Sequence, residues 1–307
     1  MYECNNGVIY QGDVIEQLKK IGDESVRCVV TSPPYWGLRD YGNDGQLGLE
    51  ETPEEYVENM VEVFQEVKRV LKDDGTVWLN LGDSYNGSGG AGGDYNKGGL
   101  KEGQPKYGRK FTNNLKPKDL VGIPWRVAFA LQSDGWYLRQ DIIWHKPNPM
   151  PEGVTDRCTK SHEYIFLLSK SAKYYYDADA IREEVKETNQ GFISVRARTA
   201  SGALGGENQH NMEKRDYDEI KGANKRSVWT INTKPYKEAH FAVFPPKLPE
   251  LCIKAGSKEG DTVLDPFFGS GTTGWVAEQM DRKWIGIELN AQYVEIAKKR
   301  FAQMRLF

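Results

Sequence analysis

Ten residues near the end of the chain, Asp265-Pro-Phe-Phe-Gly-Ser-Gly-Thr-Thr-Gly274, limit what the other residues can fold into. They follow an apolar run, TVLDPF, that reads as a strand, and they open a stretch that reads as a helix from Thr272. Gly269, Gly271 and Gly274 form GxGxxG, and Glu288 ends the next strand-like run, WIGIEL, 19 residues after Gly269. Glycines in such a turn let backbone approach a nucleotide or nucleoside, and an acid at this spacing accepts from ribose hydroxyls. Only 33 residues follow Gly274 in this chain of 307. A dinucleotide fold needs several more strands after its first glycine loop. Those strands can come only from the N-terminal side. The expected topology is therefore circularly permuted, with the last strand and helix beside GVIYQGD at 7–13. Asp13 then joins Gly269 and Glu288 at the carboxyl edge, where such sheets bind ligands. Asp13 reads equally as an acceptor for an adenine amino group and as the N-cap of the next helix.

Elsewhere the pattern alternates strand and helix. VRCVVT (26–31) reads as a buried strand after a helical stretch from Val14 to Ile21. A helix is predicted over 53–71, with Thr52 as N-cap, Pro53 at N1 and Glu55 closing a capping box. A DDG turn leads into a strand at 76–83, a helix at about 119–132 follows, and strands are expected at 137–146 and 162–170. The last helix starts near Ala291 behind an Asn290 cap, with Val294, Ala297, Phe301 and Met304 on one apolar stripe. This is an α/β domain over 1–307 with a mostly parallel sheet.

Two segments break the alternation. Residues 86–108 hold nine glycines, and 97–118 carry seven Lys or Arg against one acid, Glu102. Residues 186–228 are polar, with Arg196, Arg198, Lys214, Arg215, Lys221, Lys225 and Arg226 among them. Long loops in compact domains usually serve function or stay disordered. Basic glycine-rich segments suit a phosphate backbone, although a flexible linker has the same composition. The net charge of −3 gives no independent sign of a nucleic-acid partner. No apolar run is long enough for a membrane helix. MYECNNGVIYQGD lacks the basic and apolar parts of a signal peptide, so a cytoplasmic protein is expected. Cys4, Cys28, Cys158 and Cys252 are far apart with no CxxC, and the four histidines show no metal spacing.

The strand VRCVVT runs into Ser32-Pro33-Pro34-Tyr35. Two prolines stop a strand and leave carbonyls aimed off its end. Ser-Pro-Pro-Tyr preceding Phe267-Phe-Gly269-Ser-Gly271 resembles the β group of DNA amino-methyltransferases, which have (S/D/N)PPY before FxGxG. GTVWLNLGDSY (75–85), residues 142–170 and HFAVFPPKLPELCI (240–253) resemble the group's connecting segments, and the likeness covers about two-thirds of the chain.

The resemblance implies an α/β, Rossmann-like methyltransferase fold with a circularly permuted, mostly parallel sheet and inserted DNA-recognition segments at 86–118 and 186–228. It implies S-adenosyl-L-methionine as cofactor and double-stranded DNA as substrate, with a homodimer and a cognate restriction endonuclease as further partners. The setting is a bacterial or phage-infected cytoplasm. The target base is flipped out of the duplex. Tyr35 stacks on its ring, while the Ser32 hydroxyl and the Pro33 carbonyl accept from its amino group, with Pro34 completing the motif. Asp265, Phe267 and the backbone from Gly269 to Thr273 face the cofactor's methionine end. Thr272 and Thr273 bind its carboxylate at a helix N-terminus, and Glu288 takes the ribose.

Asn80 and Asp83 are further candidates for base contacts, His162 reads as structural, and Trp36 and Trp144 read as either stacking or core residues. Serine before PPY favours cytosine N4 in this group, and adenine N6 is the alternative. RNA or protein-glutamine methylation fits less well, because the glutamine enzymes put the cofactor motif before NPPY. An NAD-dependent oxidoreductase and a non-catalytic DNA-binding protein are the alternatives from other classes.

Overall fold

The structure, a computed structural model, describes residues 1–4, 6–87, 115–184, 222–233 and 243–304. The chain divides into two compact units, one of residues 1–176 and 227–307 and a small one of residues 177–226. In the larger unit the described strands form one nine-stranded sheet in the order β1-β2-β9-β8-β3-β4-β6-β5-β7. The strands are β1 (Tyr2–Cys4), β2 (Gly7–Gln11), β3 (Val26–Thr31), β4 (Leu71–Leu81) and β5 (Tyr137–His145). They continue with β6 (His162–Ser169), β7 (Val228–Thr230), β8 (Thr262–Asp265) and β9 (Lys283–Glu288). The helices are α1 (Val14–Leu18), α2 (Pro53–Val70), α3 (Ile123–Ser133), α4 (Lys247–Gly256), α5 (Thr272–Gln279) and α6 (Ala291–Met304).

The permutation expected from the glycine loop is present. β9, the last strand in sequence, lies between β8 and β2 and is parallel to both, with Gly7 opposite Trp284 and Gln11 opposite Glu288. β3 runs parallel to β8 on one side and to β4 on the other. From the boundary between β8 and β3 the chain winds outward in both directions, so this boundary is the topological switch point, where open α/β sheets bind ligands. β6 is antiparallel between β4 and β5, which returns the carboxyl end of β5 to the same edge.

Side-chain alternation explains the layers. Val29, Val77, Leu79 and Leu264 join Leu18, Tyr56, Phe64 and Val127 in a core under α1, α2 and α3. Their strand neighbours face the other way. There Gly256 of α4 lies against Cys28 and Trp78, while Trp284, Phe268 and Phe301 of α6 stack with ring centroids 4.4 to 6.3 Å apart. The predicted capping box of α2 is made in both directions, each at 3.2 Å between Thr52 and Glu55. Val294, Ala297 and Phe301 are buried as the stripe required; the side chain of Met304 lies outside the described set.

Three local expectations differ. α1 stops at Leu18 rather than Ile21, because Arg69 of α2 takes the Leu18 and Ile21 carbonyls at 2.9 and 3.0 Å. β4 starts at Leu71 rather than 76, absorbing Asp73-Asp74-Gly75 as an irregularity between Val26↔Leu71 and Cys28↔Thr76. α3 starts at Ile123 rather than about 119, behind Gly122 in the left-handed region (φ +78°), and the three-residue edge strand β1 is an added element.

Residues 88–114 and 185–221, most of both interrupting segments, lie outside the described residues. The chain entering and leaving the first of them is joined by Asn86, whose side chain donates to the Leu115 carbonyl at 2.7 Å. In the small unit Glu183 bridges to Ala223 and pairs with Lys225 and Arg226. Among the described residues no helix is long and apolar enough to cross a membrane.

Candidate active site

At the carboxyl edge of the sheet lies a cavity of about 1080 Å³, lined by Asp13, Ser32 to Tyr35, Asn80, Asp83, Phe267 to Ser270, Thr272 and Glu288 among others. It stands at the upper end of the ~300–1,000 Å³ usual for one small-molecule site. The strand order lays its lining out as a row, with the glycine loop and Glu288 on one side, Ser32–Tyr35 in the middle, and Asn80, Glu163 and Lys146 on the other.

The glycine loop turns at Gly269 (φ +52°) and Gly271 (φ +79°), in the left-handed region where a side chain is strained. The Gly269 amide donates to Glu288 Oε2 at 2.7 Å, and the Asn290 amide to Oε1 at 2.8 Å. Burial nevertheless pushes the Glu288 carboxyl up to about 7. Asp13 caps α1 by accepting from the Glu16 amide at 3.0 Å, and it also lines the cavity.

Asp265 and Thr273 are not among the lining residues. The Asp265 carboxylate is 2% exposed and accepts from Thr31 Oγ1 and Thr273 Oγ1, both at 2.7 Å, and from the Phe267 amide at 3.1 Å. Desolvation raises this carboxyl to about 6 despite the three donors. The group ties β3, β8 and α5 together behind the wall. Thr272 faces the cavity but accepts from Arg300 at 3.0 Å. Among the described residues the buried hydroxyl of Ser270 has no hydrogen-bond partner, although the residue lines the cavity.

Ser32 and Tyr35 leave β3 into the cavity. Ser32 Oγ lies 3.1 Å from the Tyr35 hydroxyl, which lies 2.9 Å from Glu163 Oε2 and 3.2 Å from Asn80 Oδ1. Glu163 is paired with Lys146, whose ammonium also sits 4.2 Å above the Trp144 ring. Gly82 makes room for the Tyr35 ring: a Cβ there would meet Cε2 at 2.5 Å. The Pro34 carbonyl is taken by the Tyr56 hydroxyl at 2.9 Å, whereas the Pro33 carbonyl has no donor among the described residues.

Asp83 lines the cavity, and its Oδ1 accepts from the amides of Ser84, Gly122 and Ile123 at 2.9 to 3.1 Å, which caps α3. Trp36 is core, 1% exposed, with its indole N–H on the Glu50 carbonyl. Trp144 lines the cavity, as does His162, which meets Tyr164 edge-on at 5.4 Å. Burial pushes the Cys28 thiol up to about 12, which disfavours the thiolate. Sequence reasoning passed over Glu163 and Lys146. The available signal is an acid next to His162 at the head of the apolar run Tyr164-Ile-Phe-Leu-Leu168.

Comparison with known proteins follows the same lines. The N6/N4 family model, described as DNA methylase, matches residues 26–299. The type II methyltransferase M.SmaI of Serratia marcescens is 49% identical, over 97% of this chain and 91% of its own length. M.Cfr9I of Citrobacter freundii, also a type II methyltransferase, is 48% identical over 97% of this chain and 88% of its own. Among solved structures, the PvuII DNA methyltransferase (cytosine-N4-specific) superposes with a TM-score of 0.66 at 23% identity, over 98% of this chain and 88% of that one. A Thermus thermophilus chain solved in complex with S-adenosyl-L-methionine gives 0.59 at 25% identity, over 96% and 93%.

Proposed function

The chain belongs to the N6/N4 DNA methylase family, and from that premise we propose that it methylates the exocyclic N4 of a cytosine flipped out of double-stranded DNA at a specific short sequence. The observation that carries this reading is the position of Ser32-Pro33-Pro34-Tyr35 in the row of cavity-lining groups, between the glycine loop and the Asn80–Glu163 side. One cavity then holds both reactants, and bringing two reactants together in a fixed geometry removes much of the entropic barrier.

S-adenosyl-L-methionine, when bound, supplies an electrophilic methyl group. The residues fit such a ligand: the unpartnered Ser270 hydroxyl and Thr272 lie where a helix N-terminus favours a carboxylate. Glu288 keeps lone pairs for ribose hydroxyls beyond the two amides it accepts. Asp13 offers an acceptor at the same edge, and Phe267 gives apolar cover. Asp265 and Thr273 act from behind the wall by fixing the loop.

On the base side, the half-buried Tyr35 presents its ring to the flipped cytosine. Ser32 Oγ and the unused Pro33 carbonyl accept the two amino protons, which directs the nitrogen lone pair at the methyl group. An exocyclic amine conjugated to its ring is a weak nucleophile, so this orientation supplies much of the rate. No side chain forms a covalent bond. A homodimer, a cognate restriction endonuclease and a bacterial or phage-infected cytoplasm complete the reading.

The test is mass spectrometry of nucleosides from unmethylated genomic DNA incubated with the protein and S-adenosyl-L-methionine. N4-methylcytosine is the expected product. N6-methyladenine in its place overturns the choice of base, and neither product overturns DNA as substrate.

A further inference from the structure

The hydrogen bonds beyond Ser32 run in one direction only. The Glu163 carboxylate, held by the Lys146 ammonium, can only accept. The Asn80 amide nitrogen donates to Glu163 Oε2 at 3.2 Å and to the Tyr164 carbonyl at 3.1 Å, which leaves its Oδ1 facing Tyr35. The Tyr35 hydroxyl thus meets two acceptors, Glu163 at 2.9 Å and Asn80 at 3.2 Å, and must donate its single proton to this pair. Burial and then the Glu163 charge push the phenol well above its ordinary value, so that proton stays in place. What Tyr35 turns toward Ser32, 3.1 Å away, is a lone pair. Ser32 must then donate to Tyr35, and its own lone pairs are left facing the cavity.

We propose that Glu163 is a positioning residue for the reaction: acting through the Tyr35 hydroxyl, it fixes the Ser32 hydroxyl as an acceptor toward the substrate amine. A serine hydroxyl free to rotate spends part of its time pointing a proton at the amine, whose own hydrogens it must accept. The chain Ser32→Tyr35→Glu163 removes that rotamer. It gives a neutral hydroxyl the one-way acceptor character of a carboxylate without placing a charge beside the base. The inference rests on Ser32 meeting the amine, as proposed above.

The experiment is a double-mutant cycle, E163Q with Y35F, read as the single-turnover rate of methyl transfer to duplex DNA, with the Kd for S-adenosyl-L-methionine from calorimetry. Either substitution alone should slow transfer about tenfold, the scale of one hydrogen bond to a charged group, and leave that Kd within about twofold. In the Y35F background E163Q should cost nothing more, because the link it acts through is already cut. Multiplicative losses, or an E163Q rate equal to wild type, overturn the inference. E163D keeps a charge for Lys146 while drawing the acceptor away from Tyr35, and it should show the same coupling should E163Q fail to unfold cooperatively. Absence of transfer by the wild-type chain would instead overturn the proposed function, and this inference with it.

Discussion

The Gly269 amide donates to the Glu288 carboxylate across 2.7 Å, so the glycine loop after β8 and the acid ending β9 are joined before any ligand enters. Burial outweighs that bond and the Asn290 amide, and the carboxyl stands at about 7 instead of 4.5. A ligand that donates hydroxyls to Glu288 binds its ionised form. Affinity for S-adenosyl-L-methionine should therefore weaken about tenfold from pH 8 to pH 6, with proton release on binding near neutrality. E288Q should bind weakly and flatten the profile. A wild-type Kd constant over this range would remove Glu288 from the site.

Asp265 makes a prediction about stability. Its carboxyl is raised to about 6 from 3.8, so its contribution favours the fold most below 3.8 and is lost as pH rises through 6. T273V removes a donor at 2.7 Å that serves the ionised form. The variant should lose roughly 1–3 kcal/mol at pH 8 and distinctly less at pH 5, measured by denaturant unfolding. An equal loss at both values would assign the effect to packing.

G82A tests the seat of Tyr35. Its Cβ would lie 2.5 Å from the ring, against a side chain hydrogen-bonded at its far end. Overpacking of this kind costs about 1–3 kcal/mol. The ring must shift, so transfer should slow at least tenfold, in rough proportion to such a cost, while cofactor affinity holds. A normal rate would show that the ring position is not limiting.

Asp83 separates capping from charge. D83N keeps an oxygen for the Ser84, Gly122 and Ile123 amides and should fold and methylate close to wild type. D83A should lose on the order of 1–2 kcal/mol of stability, as loss of a helix cap does. A D83N protein that is stable but inactive would return Asp83 to the list of base contacts.

The parts of this molecule legible in the sequence are those set by local chemistry. The GxGxxG spacing of Gly269, Gly271 and Gly274 between a strand and a helix announces the loop, and β9 beside β2 is the permuted order expected from it. Thr52 and Glu55 announce a helix start three residues apart. The residues that escaped are defined by partners far away in sequence. Glu163 gains its meaning from Tyr35, 128 positions earlier, and no local pattern reveals that Asp265 accepts from Thr31 and Thr273. Arg69, which shortens α1, reaches it from 51 positions away.

The place of β9 in the sheet also sets a timetable. β2 has only the three-residue β1 beside it until residues 283–288 are made, because its inner neighbour β9 comes later in the chain than every other described strand. At about 5–20 residues per second, the ribosome delivers that neighbour roughly 15–55 s after β2. Until then neither Glu288 nor the strand that carries it exists, and the side of the cavity that Glu288 lines is unmade. The Glu288 side of the cavity is thus the last part of the sheet to form, when β9 slots between β8 and β2.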